Sequence, residues 1–590
     1  MPFPRIKLRV SCPRPWALAL AALLFGCSDS TPLQRTNLLI VTLDTTRVDA
    51  LGCYGGPQGV SPTIDEFART GVRFDRAYTS APLTLPAHSS LMTGRYPDEH
   101  GVRANNSYAL PAEELTLAEI LQEEGYSTAA FVSSFVLDSQ YGLAQGFGTY
   151  SDQMPESDVS RVAERPADEV MDELLDWLAA RDAKAPFFAW LHCYDPHFPH
   201  ELPAGQAAQF ESPYHDEVAF VDGQLARVRK QLQSTDELAN TLIVIAADHG
   251  EGQGEHGEST HGYFLYQSTQ HIPLILSHPQ LAPGKLDSRN ASLVDILPTA
   301  LAFLGIEPPK TSGVNLLGEN QHDSRSLYME AELGRIDFGL SPMVGVVDEN
   351  HKLIGTPSPE LYDLMQDSAE LNNLRGELAE RAQELNQWIS KRQSGQRADA
   401  THQADAAATE RLRGLGYTGG SSDLQDARED WTSAQLLRWS QLSNAGLRHY
   451  QAGDLPEAIA ALRPLVQECP EAFSAQLFLG LGLVNTGEVD QGLLHLEKAV
   501  ALQPDGSADA WWNIAVGRAR SKQMAKAEQA LLRVIAIEPG HLRALQKLAE
   551  LRLQATDRAG ASTYLKSLIK HAPESPEGRW AAAQLRRLRG

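Results

Sequence analysis

Thr84-Leu85-Pro86-Ala87-His88-Ser89-Ser90-Leu91-Met92-Thr93-Gly94-Arg95 places a hydroxyl at what reads as a helix start, with Thr84 near the cap and Pro86 in the first turn. A threonine hydroxyl is a weak nucleophile near neutral pH and needs a base or a metal ion to activate it. Far downstream, Asp248-His249-Gly250-Glu251 offers a carboxylate next to an imidazole, and Asp44 offers a second carboxylate. Two carboxylates and one imidazole make a mixed oxygen and nitrogen donor set, which suits zinc or manganese. A helix N-terminus at such a place adds unpaired backbone N–H groups and a favourable dipole for an anionic substrate. The competing reading of Thr84 is a helix cap and nothing more.

These residues need elements to bring them together. From Asn37 onward, apolar runs of strand length alternate with amphipathic runs of helix length, which predicts an α/β domain with a mostly parallel sheet and helices on both faces. Strands are expected at 37–43, 127–132, 187–191, 241–247 and 272–276, and helices at 63–69, 115–124, 167–180, 216–232 and 293–304. Asp44 then follows the first strand and Asp248 the fourth. Open α/β sheets bind ligands beyond the carboxyl ends of their strands, so two distant aspartates converge on one site. Runs at 344–347 and 352–356 flank a turn-rich tetrad and predict a hairpin.

The Thr84–Arg95 and Asp248–Glu251 segments together resemble the nucleophile and metal segments of the sulfatase family, within the alkaline phosphatase superfamily. Leu361-Tyr362-Asp363-Leu364, Glu370 to Leu374 and Leu415-Gly416-Tyr417 resemble that family's closing segments, so the likeness spans about 37–417. It implies Asp44, Thr84, Asp248 and His249 as ligands of one divalent metal, zinc or manganese ahead of calcium or magnesium. The calcium-binding sulfatases carry a second aspartate where this chain has Thr45 and an asparagine where it has His249, which lowers the hard-oxygen count; Asp49 is near enough in sequence to compensate but reads first as a helix or loop carboxylate. The resemblance also implies catalytic roles for Thr84, His197 and His261, and substrate binding by His88, Asn105 and Arg95, the last more often a structural partner in this motif. Asp195, His197, His200 and His261 offer a second metal set, ranked below a single ion. Glu251 and His256 rank low as acid or base.

The family's nucleophile is a Cys or Ser oxidised to formylglycine. Oxidising Thr84 would give a ketone, so no formylglycine is expected. Formylglycine expels sulfate by collapsing to the aldehyde, an exit closed to Thr84, whereas a phosphothreonine can be cleaved by in-line attack of water at phosphorus. Val132-Ser133-Ser134-Phe135 stands where sulfatases carry a sulfate-binding Gly-Lys-x-His cluster. The reading is therefore a hydrolase of phosphate, phosphonate or sulfate esters with phosphoesters favoured. A sulfuric ester hydrolase working without formylglycine and a phospho-group transferase are the enzymatic alternatives. The alternative of another class is a catalytically retired envelope scaffold that binds proteins through its C-terminal repeats.

That C-terminal region is periodic. Pro470, Pro504, Pro539 and Pro573 recur at 34, 35 and 34 residues, as do the small residues Ala458, Gly492, Ala527 and Ala561. The period resembles tetratricopeptide repeats and predicts four helix pairs and a cap helix, an all-α solenoid with room for a protein or peptide partner. A net charge of −24 without clustered Lys and Arg excludes a general nucleic-acid binder. Five unpaired-looking cysteines exclude a disulfide framework. At the N-terminus, a basic start, a short apolar run and Leu24-Phe25-Gly26-Cys27 resemble a signal peptide with a bacterial lipobox, which predicts export and a lipid anchor in the cell envelope. The expected organisation is 1–27 leader, 37–389 catalytic domain, 390–432 linker and 433–590 repeats.

Overall fold

Burial dictates the first elements. In this computed structural model, which describes residues 35–105, 108–154, 164–203, 205–318, 325–395, 399–401, 427–503 and 507–589, the centre of the main sheet runs through strands that are apolar nearly throughout. In chain order they are β1 (Asn37–Leu43), β2 (Val72–Tyr78), β3 (Ser127–Val132), β4 (Thr149–Ser151), β5 (Phe187–Cys193), β6 (Thr241–Ala247), β7 (His271–Ser277) and β8 (Lys285–Ser292). Their order in the sheet is β4-β3-β5-β1-β6-β7-β2-β8, parallel except that β7 runs antiparallel to both β6 and β2. β2 and β8 escape a reading by apolar runs because Arg73, Asp75 and Arg76 interrupt the first and β8 is a polar edge strand, a common guard against strand addition.

Alternation along the strands sorts helices to two faces. Leu38, Ile40, Trp190 and Val244 share one cluster with α2 (Thr84–Thr93), α4 (Leu117–Glu123) and α8 (Ile296–Phe303). Leu39, Val41, Leu191 and Ile245 share the other with α1 (Pro62–Thr70), α5 (Ala167–Ala180) and α6 (Pro213–Ser234). Short α3 (Pro97–His100) and α7 (Gln267–Gln270) complete the layer set. A second, antiparallel sheet holds β9 (Leu327–Ala331), β10 (Met343–Asp348), β11 (His351–Gly355) and β12 (Glu360–Asp363), and the expected hairpin is β10–β11. Helix α9 (Leu333–Phe338) follows β9, and α10 (Ala379–Gln393) packs Leu385 and Ile389 onto this sheet.

Two described pieces of the 390–432 stretch dock on the α/β body instead of hanging between domains. Asp399 pairs with Arg103 at 2.8 Å and Arg335 at 3.0 Å, and Arg428 exchanges backbone hydrogen bonds with Gly339 and Ser341. The leader with its lipobox and Leu415-Gly416-Tyr417 lie outside the described residues. No described helix is long and apolar enough to cross a membrane.

The described C-terminal residues form a run of helices: α11 (Ser433–Gln451), α12 (Leu455–Glu468), α13 (Phe473–Thr486), α14 (Val489–Leu502), α15 (Ala508–Arg520), α16 (Met524–Ile537), α17 (Leu542–Gln554), α18 (Arg558–His571) and α19 (Pro576–Arg589). The small residues at the expected interval mark where paired helices cross. Ala458, Ala527 and Ala561 are buried, and a Cβ on Gly492 would meet Gly480 O at 2.8 Å and Val484 N at 2.9 Å. The first repeat is fastened to the α/β body. Trp439 packs edge-on against Phe338 with ring centres 5.9 Å apart, Ser433 Oγ donates to Glu360 at 2.7 Å, and Gln441 donates to the Gly257 carbonyl at 3.0 Å.

The crossing at Gly492 sets an expected outcome. Gly492→Ala overpacks α13 against α14 and lowers stability by about 1–3 kcal/mol in thermal or urea unfolding. Leu494→Ala, on the exposed side of the same helix, stays within about 0.5 kcal/mol of the parent.

Candidate functional site

The site forms where β1 and β6 end. They pair in parallel with Leu43 opposite Ala247, so Asp44 and Asp248 leave adjacent strand ends together. Both are fully buried, and Asp44 Oδ1 and Asp248 Oδ2 have no hydrogen-bond partner. Burial pushes the Asp44 carboxyl up to about 7, a neighbouring Glu251 charge adding to it and His249 opposing it. Burial also raises Asp248, with the Asp44 charge next in size. Between these strands and the following loops the chain turns through Thr45, whose φ of 47° is left-handed and unusual for a β-branched residue. Two hydrogen bonds hold it there: Thr45 N–H to Asp248 Oδ1 at 3.3 Å and the Tyr214 hydroxyl to Thr45 O at 2.9 Å.

Thr84 is the first residue of α2 and does not cap it, since the N-cap is Leu83 and no side chain caps the helix. Its Oγ1 lies 3.5 Å from Asp44 Oδ2 and 3.5 Å from His249 Nε2. His249 Nδ1 donates to the Gly250 carbonyl at 3.0 Å, which leaves the Nε2 lone pair facing Asp248 Oδ2 at 3.5 Å and Asp44 Oδ1 at 3.8 Å. Gly250 has to be glycine, because a Cβ there would stand 2.1 Å from Ser268 O. Ligands bound at about 2.0–2.2 Å in a tetrahedron are separated by about 3.3–3.6 Å. The orphaned carboxylate oxygens, the Thr84 hydroxyl and the His249 nitrogen therefore fit a divalent cation in spacing and in donor type. Asp44, Asp248 and His249 bring ligand atoms within 4.8 Å of one another; among the described residues, so do His88, His192 and Asp248.

His88 sits beneath this group, and its hydrogens can be assigned. Nδ1 donates to Thr84 O at 2.7 Å, so Nε2 accepts from Thr42 Oγ1 at 2.9 Å, and Thr42 in turn accepts from the Trp190 indole at 3.0 Å. Burial lowers the His88 pKa to about 3. It is a neutral support for Thr84 and brings the site neither a charge nor an uncommitted ring nitrogen, which departs from the substrate-binding expectation. Asn105 accepts from Leu85 N–H at 2.8 Å, next to Thr84, and its Nδ2 has no partner. That amide is a donor in store for a ligand oxygen.

His197 and His261 stand above His249. The His261 ring centre is 4.5 Å from that of His249 and 5.1 Å from that of His197, and His197 stacks on Tyr194 at 4.3 Å. His261 Nδ1 meets Glu251 Oε1 at 3.2 Å. Burial lowers His261 to about 4 and raises Glu251 to about 8. His197 is held well below its ordinary value by burial and then by His261. These imidazoles thus enter as neutral rings, poised for hydrogen bonding.

Other expected residues stand apart. Arg95 lies beyond the far end of α2, a ten-residue helix of about 15 Å, half exposed and 3.6 Å from Glu114. It is not gathered into the cluster. Asp49 is exposed and paired with Arg47 at 2.7 Å, and His256 stacks on Tyr266 at 3.7 Å. His200 pairs with Glu217 at 3.0 Å, so Asp195, His197, His200 and His261 do not form a common ligand cluster. One residue was missed from sequence, His192. It continues β5 one step past the expected strand end, opposite Thr42 of β1, and its Nε2 lies 3.3 Å from Asp44 Oδ2. Carrying the strand to Cys193 would have placed it beside Asp44.

Residues 36–306 match the sulfatase family model, and residues 543–575 match a tetratricopeptide repeat. The chain is 27% identical over 422 residues to a protein of Escherichia coli described as uncharacterized sulfatase YidJ, covering 58% of this chain and 83% of the relative. It is 24% identical over 515 residues to an N-acetylglucosamine-6-O-sulfatase of Bacteroides thetaiotaomicron, covering 66% of this chain and 92% of that protein. Among solved structures, the phosphonate monoester hydrolase of Agrobacterium radiobacter shares the fold with a TM-score of 0.52 at 21% identity, covering 61% of this chain and 96% of that one. Residues 36–306, with Asp44 and Asp248 at adjacent strand ends and Thr84 at the helix start facing them, form a sulfatase-like α/β domain that matches the sulfatase family model, followed by a helical region with a tetratricopeptide-repeat match.

Proposed function

We propose that the protein is a metal-dependent hydrolase of anionic esters that uses Thr84 as nucleophile and favours phosphate or phosphonate esters over sulfate esters. The observation that supports this most is the Thr84 hydroxyl at 3.5 Å from both Asp44 Oδ2 and His249 Nε2, beside two orphaned buried carboxylate oxygens. Asp44, Asp248, His249 and Thr84 would hold one divalent cation. When bound, it supplies Lewis acidity that makes the hydroxyl acidic and offsets charge on the ester oxygens.

The remaining steps fall to side chains. Asp44 Oδ2 is the nearest carboxylate to the Thr84 proton and, by its raised affinity for protons, the residue suited to take it. Thr84 Oγ then attacks phosphorus, the ester oxygen leaves with a proton, and water later attacks the phosphothreonine in line. Leu85 N–H is already committed to Asn105, so the Asn105 amide, on the same side as Thr84, is the donor assigned to a non-bridging oxygen. His197 and His261 line the opposite side, where a neutral imidazole N–H can hydrogen-bond the ester oxygen as it leaves and takes its proton from water. The relatives named for sulfate-ester substrates support the ester class. The preference for phosphorus rests on Thr84, which cannot expel sulfate by collapse to an aldehyde. Export with a lipid anchor, read from residues 1–27, and a protein or peptide partner on the solenoid belong to the same proposal.

Thr84→Ala should cut turnover of p-nitrophenyl phosphate by at least about a thousandfold while metal content stays close to one ion per chain. A panel of phosphate mono- and diesters, a phosphonate and a sulfate ester, assayed on one metal-analysed sample, should rank phosphorus esters first. Faster sulfate-ester turnover would reverse the preference. A metal-free, inert protein that still captures partners through residues 433–590 would replace the enzyme with a scaffold.

The carboxylates set a pH signature as well. Asp44 binds protons more tightly folded, at about 7, than unfolded, at 3.8, so the cation-free fold loses stability as pH rises through that window. A cation takes the place of those protons. Added Zn²⁺ or Mn²⁺ should therefore raise the melting temperature more at about pH 8 than at about pH 5, and Asp44→Asn should flatten that difference.

A further inference from the structure

His192 is fully buried, and neither of its ring nitrogens has a hydrogen-bond partner. Buried polar groups are nearly always paired, so an imidazole with both nitrogens unmet calls for a specific reason. The groups around it are committed elsewhere. The Trp190 indole donates to Thr42, Ser133 Oγ donates to the His192 backbone carbonyl at 2.6 Å, and both nitrogens of His88, whose ring is edge-on at 5.0 Å, are engaged. What remains is Asp44. His192 Nε2 lies 3.3 Å from Asp44 Oδ2 but is not aligned for a hydrogen bond to it.

That distance takes its meaning from the rest of the cluster. Asp44 Oδ2 to Thr84 Oγ1, Thr84 Oγ1 to His249 Nε2 and His249 Nε2 to Asp248 Oδ2 are each 3.5 Å. His192 Nε2 to Asp44 Oδ2 adds one more contact of like length to that chain, and His192 also has a ligand atom within 4.8 Å of one on Asp248. The pleat explains how it gets there: Thr42 pairs with His192 on one side and Ala246 on the other, so residues 44, 192 and 248 all face the α2 side of the sheet. The trio of His88, His192 and Asp248 does not make an independent second site, because His88 would have to surrender its bonds to Thr84 and Thr42.

We propose that His192 is a protein ligand, through Nε2, of the same divalent cation as Asp44, Asp248 and His249. This rests on the proposed metal-dependent function and adds to it a second imidazole. Two nitrogens beside two carboxylates and a hydroxyl move the site toward zinc and away from calcium and magnesium.

Binding of Zn²⁺ and Co²⁺ to the full chain, measured by chelator competition and by the visible spectrum of the Co²⁺ form, tests it. The parent should bind one ion, and His192→Ala and the closer-fitting His192→Gln should each weaken Zn²⁺ affinity by at least about tenfold and alter the Co²⁺ bands. Unchanged affinity and bands in both variants overturn the assignment while leaving the metal-dependent reading in place. A parent that binds no ion overturns both. Should either variant fail to fold, X-ray absorption at the zinc edge of the parent decides: two coordinated imidazoles support His192, and one overturns it.

Discussion

Two carboxylates with no cationic side chain between them, buried at neighbouring strand ends, are the constraint around which this domain is arranged. Asp44 and Asp248 are both fully excluded from water, each keeps an oxygen without a donor, burial raises the proton affinity of both, and the Asp44 charge raises that of Asp248 further. Left alone, such a pair costs stability, because burial penalises charge and like charges repel. It makes physical sense only where something positive is to be held. The left-handed turn at Thr45 adds to the cost, and Tyr214 and Asp248 hold it in place. Strain and unmet polar groups at one place mark a site kept for function at the expense of the fold.

The neutral histidines belong to the same logic. A buried imidazole gives up its charge readily, so His88 and His261 enter the site as hydrogen-bonding and orienting groups. The relay from the Trp190 indole through Thr42 to His88 and on to the Thr84 carbonyl fixes the first turn of α2 against β1 and β5. The hydroxyl is thus positioned by a line of side chains that would not touch the substrate. Preorganisation of this kind costs nothing at the moment of reaction.

Much of this was legible in the chain itself because the informative strands are apolar and buried on both faces. β1, β3 and β6 end where their hydrophobic runs end, so the residues that follow them could be assigned to the ligand-binding edge. His192 was hidden by the same rule: a histidine closing an apolar run looks like the start of a loop, and only the pairing with Thr42 shows that the strand continues. Arg95 misled because proximity in sequence to Thr84 is cancelled by a helix between them. β2 and β8 carry charge on their exposed face and lacked any apolar run to betray them. Asp399, in a stretch that composition marks as linker, is tied down by two arginines far off in sequence, a contact no local pattern encodes.

The seam between the solenoid and the α/β body has a practical side. Phe338 and Trp439 are both buried within it, Leu437 presses on Gly257, and buried residues from both regions belong to one continuous cluster. Cropping the chain ahead of Ser433, as a crystallographer or a builder of chimeras would be tempted to do, strips that cover and leaves a sticky apolar face on the fragment. It also removes the buttress from the loop tip at Gly257, four residues before His261. The α/β body and the solenoid are in this sense a single article of manufacture, to be expressed, swapped or evolved as a whole.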